Sequence, residues 1–172
     1  MLKKNFFRLL LTLVLVTFTV QGTLADTKWH WDKGTIVVDT PERPAGQKNV
    51  LNLQTPALPV VRVAFVGLGM RGPSAVSRWT HINGVRIVAL CDYEKDRAEK
   101  CQNILKKAGL PEAAIYSGPD GYKELCKRED INLVYIATDW KNHVPVAKCA
   151  LENGKHAAIE VPSATFFQEC WV

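Results

Sequence analysis

From residue 60 onward, short apolar runs alternate with amphipathic segments. "VVRVAFVG" (Val60 to Gly67) is too short for a helix, rich in Val and closed by Gly, which predicts a strand buried on both faces. "VRIVALCD" (Val85 to Asp92) predicts a second, and the span between them has room for one helix. Lys95 to Ala108 predicts a helix whose apolar residues Ala98, Cys101, Ile104, Leu105 and Ala108 share one face; Gly109 and Pro111 stop it. "AIYS" is a weak third strand, and "GYKELCKRE" a short helix with Tyr122, Leu125 and Cys126 on one side. "INLVYIAT" is a strong fourth strand, "HVPVAKCALENG" a helix closed by Gly154, and "HAAIEV" a fifth strand. Strands that alternate with helices predict an α/β fold, a Rossmann-type doubly wound parallel sheet. One more helix and strand would complete it, so the sheet is expected to be incomplete at its C-terminal end. "SATFFQECWV" reads as a helix opening over Thr165 to Gln168.

The first 59 residues differ in kind. Lys3, Lys4 and Arg8 precede an apolar run, Leu9 to Val20, and small residues Thr23 and Ala25 follow. This is the layout of a secretory signal peptide over residues 1–25, with an uncleaved anchor as the alternative. The chain is expected to be exported, to a periplasm or the medium. Residues 26–59 carry Pro41, Pro44, Pro56 and Pro59 and read as an extended arm with one strand, Ile36 to Val38. Either it is a loose linker or it packs along another domain or subunit. Residues 60–172 form the remaining domain.

Charge changes the picture little. Removing the three basic residues of the leader from the 22 Lys and Arg leaves 19 against 17 Asp and Glu, a net charge of +2. The basic balance belongs largely to the leader, and no basic face with interleaved aromatics appears, so nucleic-acid binding is not expected. The five Cys (91, 101, 126, 149 and 170) form no C-x-x-C pair and sit within apolar patterns. They are expected to be buried free thiols rather than a disulfide framework. No metal site is expected.

Gly67-Leu68-Gly69-Met70-Arg71-Gly72 fits G-x-G-x-x-G and lies between a predicted strand and a predicted helix, the context that pattern requires. Gly67 permits the tight turn, Gly69 lets the backbone approach a pyrophosphate, and Gly72 lets helix and strand pack closely. The helix N-terminus then faces the phosphates, where Arg71 could add charge. Asp92 ends the second strand 20 residues after Gly72. A carboxylate there accepts from the adenosine ribose and repels a 2′-phosphate, which favours NAD over NADP; the alternative is an Asp capping the next helix. "ATDWKNH" (Ala137 to His143) leaves the fourth strand at the ligand-binding edge, with Trp140 offering a flat face and His143 starting a helix. Glu160 and Val161 end the fifth strand on the same edge. A carboxylate on an apolar strand has either a fixed partner or a short path to solvent.

Together these residues resemble the NAD-binding domain of the glucose-fructose oxidoreductase / inositol dehydrogenase family, whose fourth strand commonly ends T-P-N-x-x-H and whose fifth ends E-K-P. Here Thr138-Asp139-Trp140-Lys141-Asn142-His143 and Glu160-Val161-Pro162 stand at those places. Trp140 for Asn and Val161 for Lys are similar to one branch, glycoside hydrolase family 109, as are "ERPAGQKNVLNLQTPALP" and the stretch from Val61 to Asp92. The resemblance implies NAD contacts at Met70 and Arg71, the ribose at Asp92, and a nicotinamide wall of Trp140, Lys141, Asn142, His143, Glu160 and Val161. It implies an α-N-acetylgalactosaminidase that works by transient hydride transfer to bound NAD and elimination. It also implies a second domain, holding the sugar site and the catalytic Tyr and His. The chain is expected to lack that domain, so no catalytic residue is assigned within it and it is expected to be inactive alone. The substrate is expected to be a small molecule or glycan held by the missing domain, with no membrane contact after leader cleavage and the oligomeric state open. The rival readings are an NAD-dependent sugar oxidoreductase and a non-catalytic nucleotide-binding remnant.

Overall fold

The computed structural model describes residues 29–38, 42, 44–47, 52 and 54–171. The predicted leader, residues 1–25, lies outside the described residues, as does part of the predicted arm. The chain divides into two units, residues 1–42 and 43–172.

In the first unit, β1 (Trp29–Asp32) pairs antiparallel with β2 (Thr35–Val38), Trp31 opposite Ile36. Lys33 and Gly34 turn between them with φ of 47° and 82°. A two-residue loop with both φ positive matches the twist of its flanking strands. The single strand expected over Ile36 to Val38 is therefore the second arm of a hairpin.

In the second unit, five parallel strands form one sheet in the order β5-β4-β3-β6-β7. They are β3 (Val61–Val66), β4 (Val85–Asp92), β5 (Ala114–Ser117), β6 (Leu133–Ile136) and β7 (His156–Ile159). Four helices connect them: α1 (Gly72–Trp79), α2 (Lys95–Lys107), α3 (Gly121–Cys126) and α4 (Trp140–Glu152). This is the α/β Rossmann-like fold that the alternating pattern predicts.

Period-two alternation divides the core between two faces. Val63 and Phe65 point to the side covered by Ala75 and Val76 of α1 and by Ala98, Cys101 and Leu105 of α2. Ala64 and Val66 point the other way, onto Leu125 and Cys126 of α3 and Val146, Ala147 and Ala150 of α4. The register between β3 and β4 shifts after Val63, so Val88 has no opposite residue on β3. Both faces of β3 are covered from Val63 to Val66, which is why that part of its sequence is an uninterrupted apolar run.

The strand order reverses at β3. β4 and β5 lie on one side, β6 and β7 on the other. Ligands bind outside the carboxyl ends of strands at such a switch point, and Gly67, Asp92, Ala137 and Glu160 all directly follow or end strands at that edge.

Two expectations are corrected. Cys91, Cys101 and Cys126 are buried, but Cys149 is half-buried and Cys170 exposed. An apolar sequence setting therefore did not decide burial for a cysteine on the rim of α4 or in the last turn. The helix opening at Thr165 to Gln168 is instead a 3-10 turn over Phe167–Trp171. The Glu169 carboxylate folds back to accept from the Thr165 N–H at 2.6 Å, the Thr165 hydroxyl and the Phe166 N–H. Those donors hold its carboxyl below the ordinary carboxylate range.

Candidate functional site

The loop after β3 is shaped by two glycines that admit no side chain. Gly67 has φ of 91°, and a Cβ there would meet the Ala137 carbonyl carbon and Thr138 nitrogen at 2.5 Å. A Cβ on Gly72 would meet the Gly67 oxygen at 2.3 Å. Gly69 differs, since its Cβ would touch only the Arg97 guanidinium, at 3.6 Å. Its exposed backbone faces open space, so a flat or anionic group can approach it. Arg71 is the residue before α1, and no side chain caps that helix. Its first N–H groups remain available to an anion.

Asp92 is buried, with 6% of its surface exposed. Its Oδ2 accepts from the Leu68 N–H at 2.6 Å and its Oδ1 from the Glu94 N–H at 2.9 Å. Arg97 Nη1 stands 3.4 Å from Oδ1. A carboxylate offers about four lone-pair sites, so three donors leave room for a ribose hydroxyl. Asp92 thus ties the glycine loop to β4 while facing the cleft. It is neither a surface residue nor a mere cap.

Two lobes flank Gly67. The larger, about 480 Å³, is lined by Gly67, Gly69, Met70, Arg71, Asp92, Trp140, His143, Glu160 and Val161, together with Arg97, Ala137, Thr138 and Asp139. The other, about 430 Å³, lies toward β4 and β5 and includes Cys91, Asp92, Tyr93, Gly118, Tyr122 and Asn142. Nine of the twelve residues picked from sequence line the larger lobe. Asn142 lines the other, and its side chain bonds to the Asp139 carboxylate. Gly72 is packed beneath the loop, and Lys141 is exposed and lines neither lobe.

The wall residues divide by exposure. Met70, Trp140 and Val161 are exposed to 90%, 62% and 83%. Such apolar surfaces around a cleft suit a planar ring. His143 is buried, its Nδ1 lying 2.7 Å from the Pro162 carbonyl oxygen and its Nε2 3.2 Å from that of Thr138. Both partners are acceptors, so the single N–H of a neutral imidazole donates to one of them while the ring packs between the loops that follow β6 and β7. Glu160 has a fixed partner: its Oε1 accepts from the Tyr135 hydroxyl. Burial and then that contact push the Tyr135 phenol up.

Sequence reasoning missed Arg97 and Tyr135. Arg97 reads as one more polar residue on an exposed helix face; its signal is the spacing of five from Asp92, in the first turn of α2. Tyr135 reads as core, and nothing local links it to a residue 25 positions later. Among the described residues, no cluster of His, Cys, Asp and Glu is suited to a metal ion, and no helix is long and apolar enough to cross a membrane.

A dinucleotide fits this geometry: two lobes, a glycine turn between them where backbone replaces side chains, a helix N-terminus above the turn, and a buried carboxylate that lines both lobes. The comparisons with known proteins agree. A family model described as "Oxidoreductase family, NAD-binding Rossmann fold" matches residues 61–171. Glycosyl hydrolase family 109 protein 5 of Phocaeicola vulgatus is 70% identical over 155 residues, covering 90% of this chain and 30% of that protein. Protein 3 of the same family and organism is 56% identical over 170 residues, covering 99% of this chain and 31% of its own length. The chain therefore spans about 30% of the length of these curated relatives. Among solved structures, myo-inositol dehydrogenase from Lactobacillus casei, in complex with NAD(H) and myo-inositol, superposes with a TM-score of 0.56 at 26% identity. It covers 64% of this chain and 31% of that one.

Proposed function

This chain belongs to the oxidoreductase family with the NAD-binding Rossmann fold, and on that premise we propose that it is the cofactor-binding part of an exported glycosidase resembling α-N-acetylgalactosaminidase. NAD, when bound, supplies a reversible hydride acceptor for the sugar, which acidifies the neighbouring C–H and allows the aglycone to leave. The residues of this chain bind and orient. The Gly67-to-Gly72 turn and the α1 N-terminus take the pyrophosphate. The remaining lone pair of Asp92 takes the adenosine ribose. Trp140 and Met70 shield the nicotinamide face, and His143 keeps the two loop walls in register.

The observation that carries the reading is Val161. It stands on the cleft, 83% exposed, where the resemblance leads one to expect a Lys in the dehydrogenases. An isopropyl group moves no proton, so position 161 cannot manage the hydroxyl proton of a net alcohol oxidation. The 70% identity to proteins named for glycosyl hydrolase family 109 supports the same reading. The sugar site and its acid–base groups are assigned to the rest of the whole protein. Lys3, Lys4, Arg8 and the apolar run after them support export.

A second reading, net sugar oxidation with release of NADH, is favoured by the likeness to myo-inositol dehydrogenase. One experiment separates the two. The whole protein is incubated with NAD and a chromogenic α-N-acetylgalactosaminide, and chromophore and NADH are followed together. Chromophore release without accumulating NADH supports the glycosidase. NADH formed from a free sugar, with no chromophore released, overturns it.

A further inference from the structure

Tyr135 lies in the middle of β6 and belongs to no part of the dinucleotide pattern. Its ring is clamped, with the Phe65 centroid 5.1 Å away and the Trp79 centroid 5.6 Å away, while Phe65 and Trp79 meet edge to face at 5.6 Å. Three packed aromatics from β3, α1 and β6 leave the phenol little freedom. Its hydroxyl donates to Glu160 Oε1. Glu160 is also held by its backbone, whose N–H donates to the Ile136 carbonyl at 3.0 Å. Tethering at both ends gives the carboxylate one position on the wall of the larger lobe, next to Val161.

Topology says which half of a dinucleotide meets that wall. The ribose carboxylate Asp92 ends β4 and the pyrophosphate turn follows β3, so the other half extends over β6 and β7. That half carries the nicotinamide, which is cationic when oxidised and neutral when reduced. A fixed carboxylate nearby attracts only the cation, and partial burial strengthens the attraction relative to bulk water.

We infer that Tyr135 is a positioning residue for the Glu160 carboxylate, and that the charge so fixed makes the larger lobe prefer NAD⁺ over NADH. The inference rests on the NAD-binding reading given above. Its consequence is a cofactor that rests in the oxidised form, ready to accept hydride and not to lose it to solvent. One hydroxyl on Tyr135 thereby sets a redox preference without touching the cofactor.

The test measures dissociation constants for NAD⁺, NADH and ADP on the full chain and on Glu160→Gln and Tyr135→Phe. ADP samples only the other half of the cleft and reports on the nucleotide reading by itself. The expected result is a fall in the NADH-to-NAD⁺ ratio of dissociation constants by about tenfold in Glu160→Gln and about threefold in Tyr135→Phe, with ADP unchanged. A ratio unchanged in both variants, with ADP still bound, overturns the redox preference and leaves nucleotide binding standing. A change in Glu160→Gln alone overturns the positioning role. Failure of the unaltered chain to bind ADP or NAD⁺ overturns the nucleotide reading and this inference with it. Should Tyr135→Phe not fold, Glu160→Gln still decides the redox preference, and Tyr135→His, which keeps a ring and a donor, decides the positioning role by the same ratio.

Discussion

The backbone nitrogen of Leu68 lies 2.6 Å from Oδ2 of Asp92, so a buried carboxylate stitches the glycine loop after β3 to the end of β4. The same side chain lines the cleft in which the cofactor is proposed to bind. Stability and binding therefore meet in one residue, and its substitution should disturb both.

Asp92→Asn keeps the volume and removes the charge. One of its carboxylate oxygens becomes an NH₂, which then faces the N–H of either Leu68 or Glu94. A donor against a buried donor costs about 1–3 kcal/mol. Thermal melts should show that loss, and NAD titration should show affinity reduced by about tenfold or more. Asp92→Ala should lose comparable stability. A variant with unchanged melting and weakened NAD binding would mean that the Leu68 contact contributes nothing.

The three glycines of the turn should separate by role. Gly67→Ala and Gly72→Ala drive a methyl to within 2.5 Å and 2.3 Å of backbone atoms, and backbone cannot yield as a flexible side chain can. Each should cost about 2 kcal/mol or more and lower the yield of folded protein. Gly69→Ala meets only the end of Arg97. It should melt within about 0.5 kcal/mol of the parent and yet bind NAD poorly, because the methyl occupies the approach to the pyrophosphate. Equal stability losses at all three positions would contradict this division.

What the sequence discloses and what it withholds follow from the range of the interactions. The central strands β3 and β4 are legible because burial on both faces forces apolar runs such as Val63 to Val66 and Ile87 to Cys91, whereas the edge strand β5, with no fully buried residue, reads only weakly. The glycine turn is legible because its geometry excludes Cβ at Gly67 and Gly72. β1 is not, because Trp29 and Trp31 leave it without a buried face. Its alternation therefore carries no inside-outside signal, and only the Lys33-Gly34 turn marks it. The Tyr135 to Glu160 contact is invisible for another reason: parallel strands bring β6 and β7 side by side through a whole intervening helix. His143 is legible by position as a residue of the cleft, but not as one whose two ring nitrogens both face backbone carbonyls.

The buried thiols set a limit at high pH. Burial pushes the Cys91 thiol from 9.0 up to about 12, with the Asp92 charge adding to it. Burial and the neighbouring Cys149 push Cys126 to about 12, and burial with Asp92 pushes Cys101 to about 11. The folded chain thus holds these protons more tightly than the unfolded chain. Their contribution to stability is fully present below pH 9.0 and is lost as pH rises toward 12. Urea midpoints should fall steeply across that window, less so in Cys101→Ala. At neutral pH, alkylation should reach exposed Cys170 first and leave Cys91, Cys101 and Cys126 unmodified until the chain unfolds. Rapid alkylation of all five would contradict the packing described.

Val161→Lys asks whether the cleft wall sets the balance between the two oxidation states of the cofactor. Val161 is 83% exposed, so the larger side chain has room and stability should move by no more than about 0.5 kcal/mol. The new ammonium stands beside the Glu160 carboxylate and opposes its field. Affinity for NAD⁺ should fall, affinity for NADH should hold or rise, and ADP binding should not change. Salt supplies the control, because the wall is open enough for screening. The difference between variant and parent should shrink as ionic strength is raised. If Val161→Lys weakens NAD⁺, NADH and ADP alike, the lysine acts by obstructing the cleft, and charge at this wall does not discriminate between the oxidised and reduced rings.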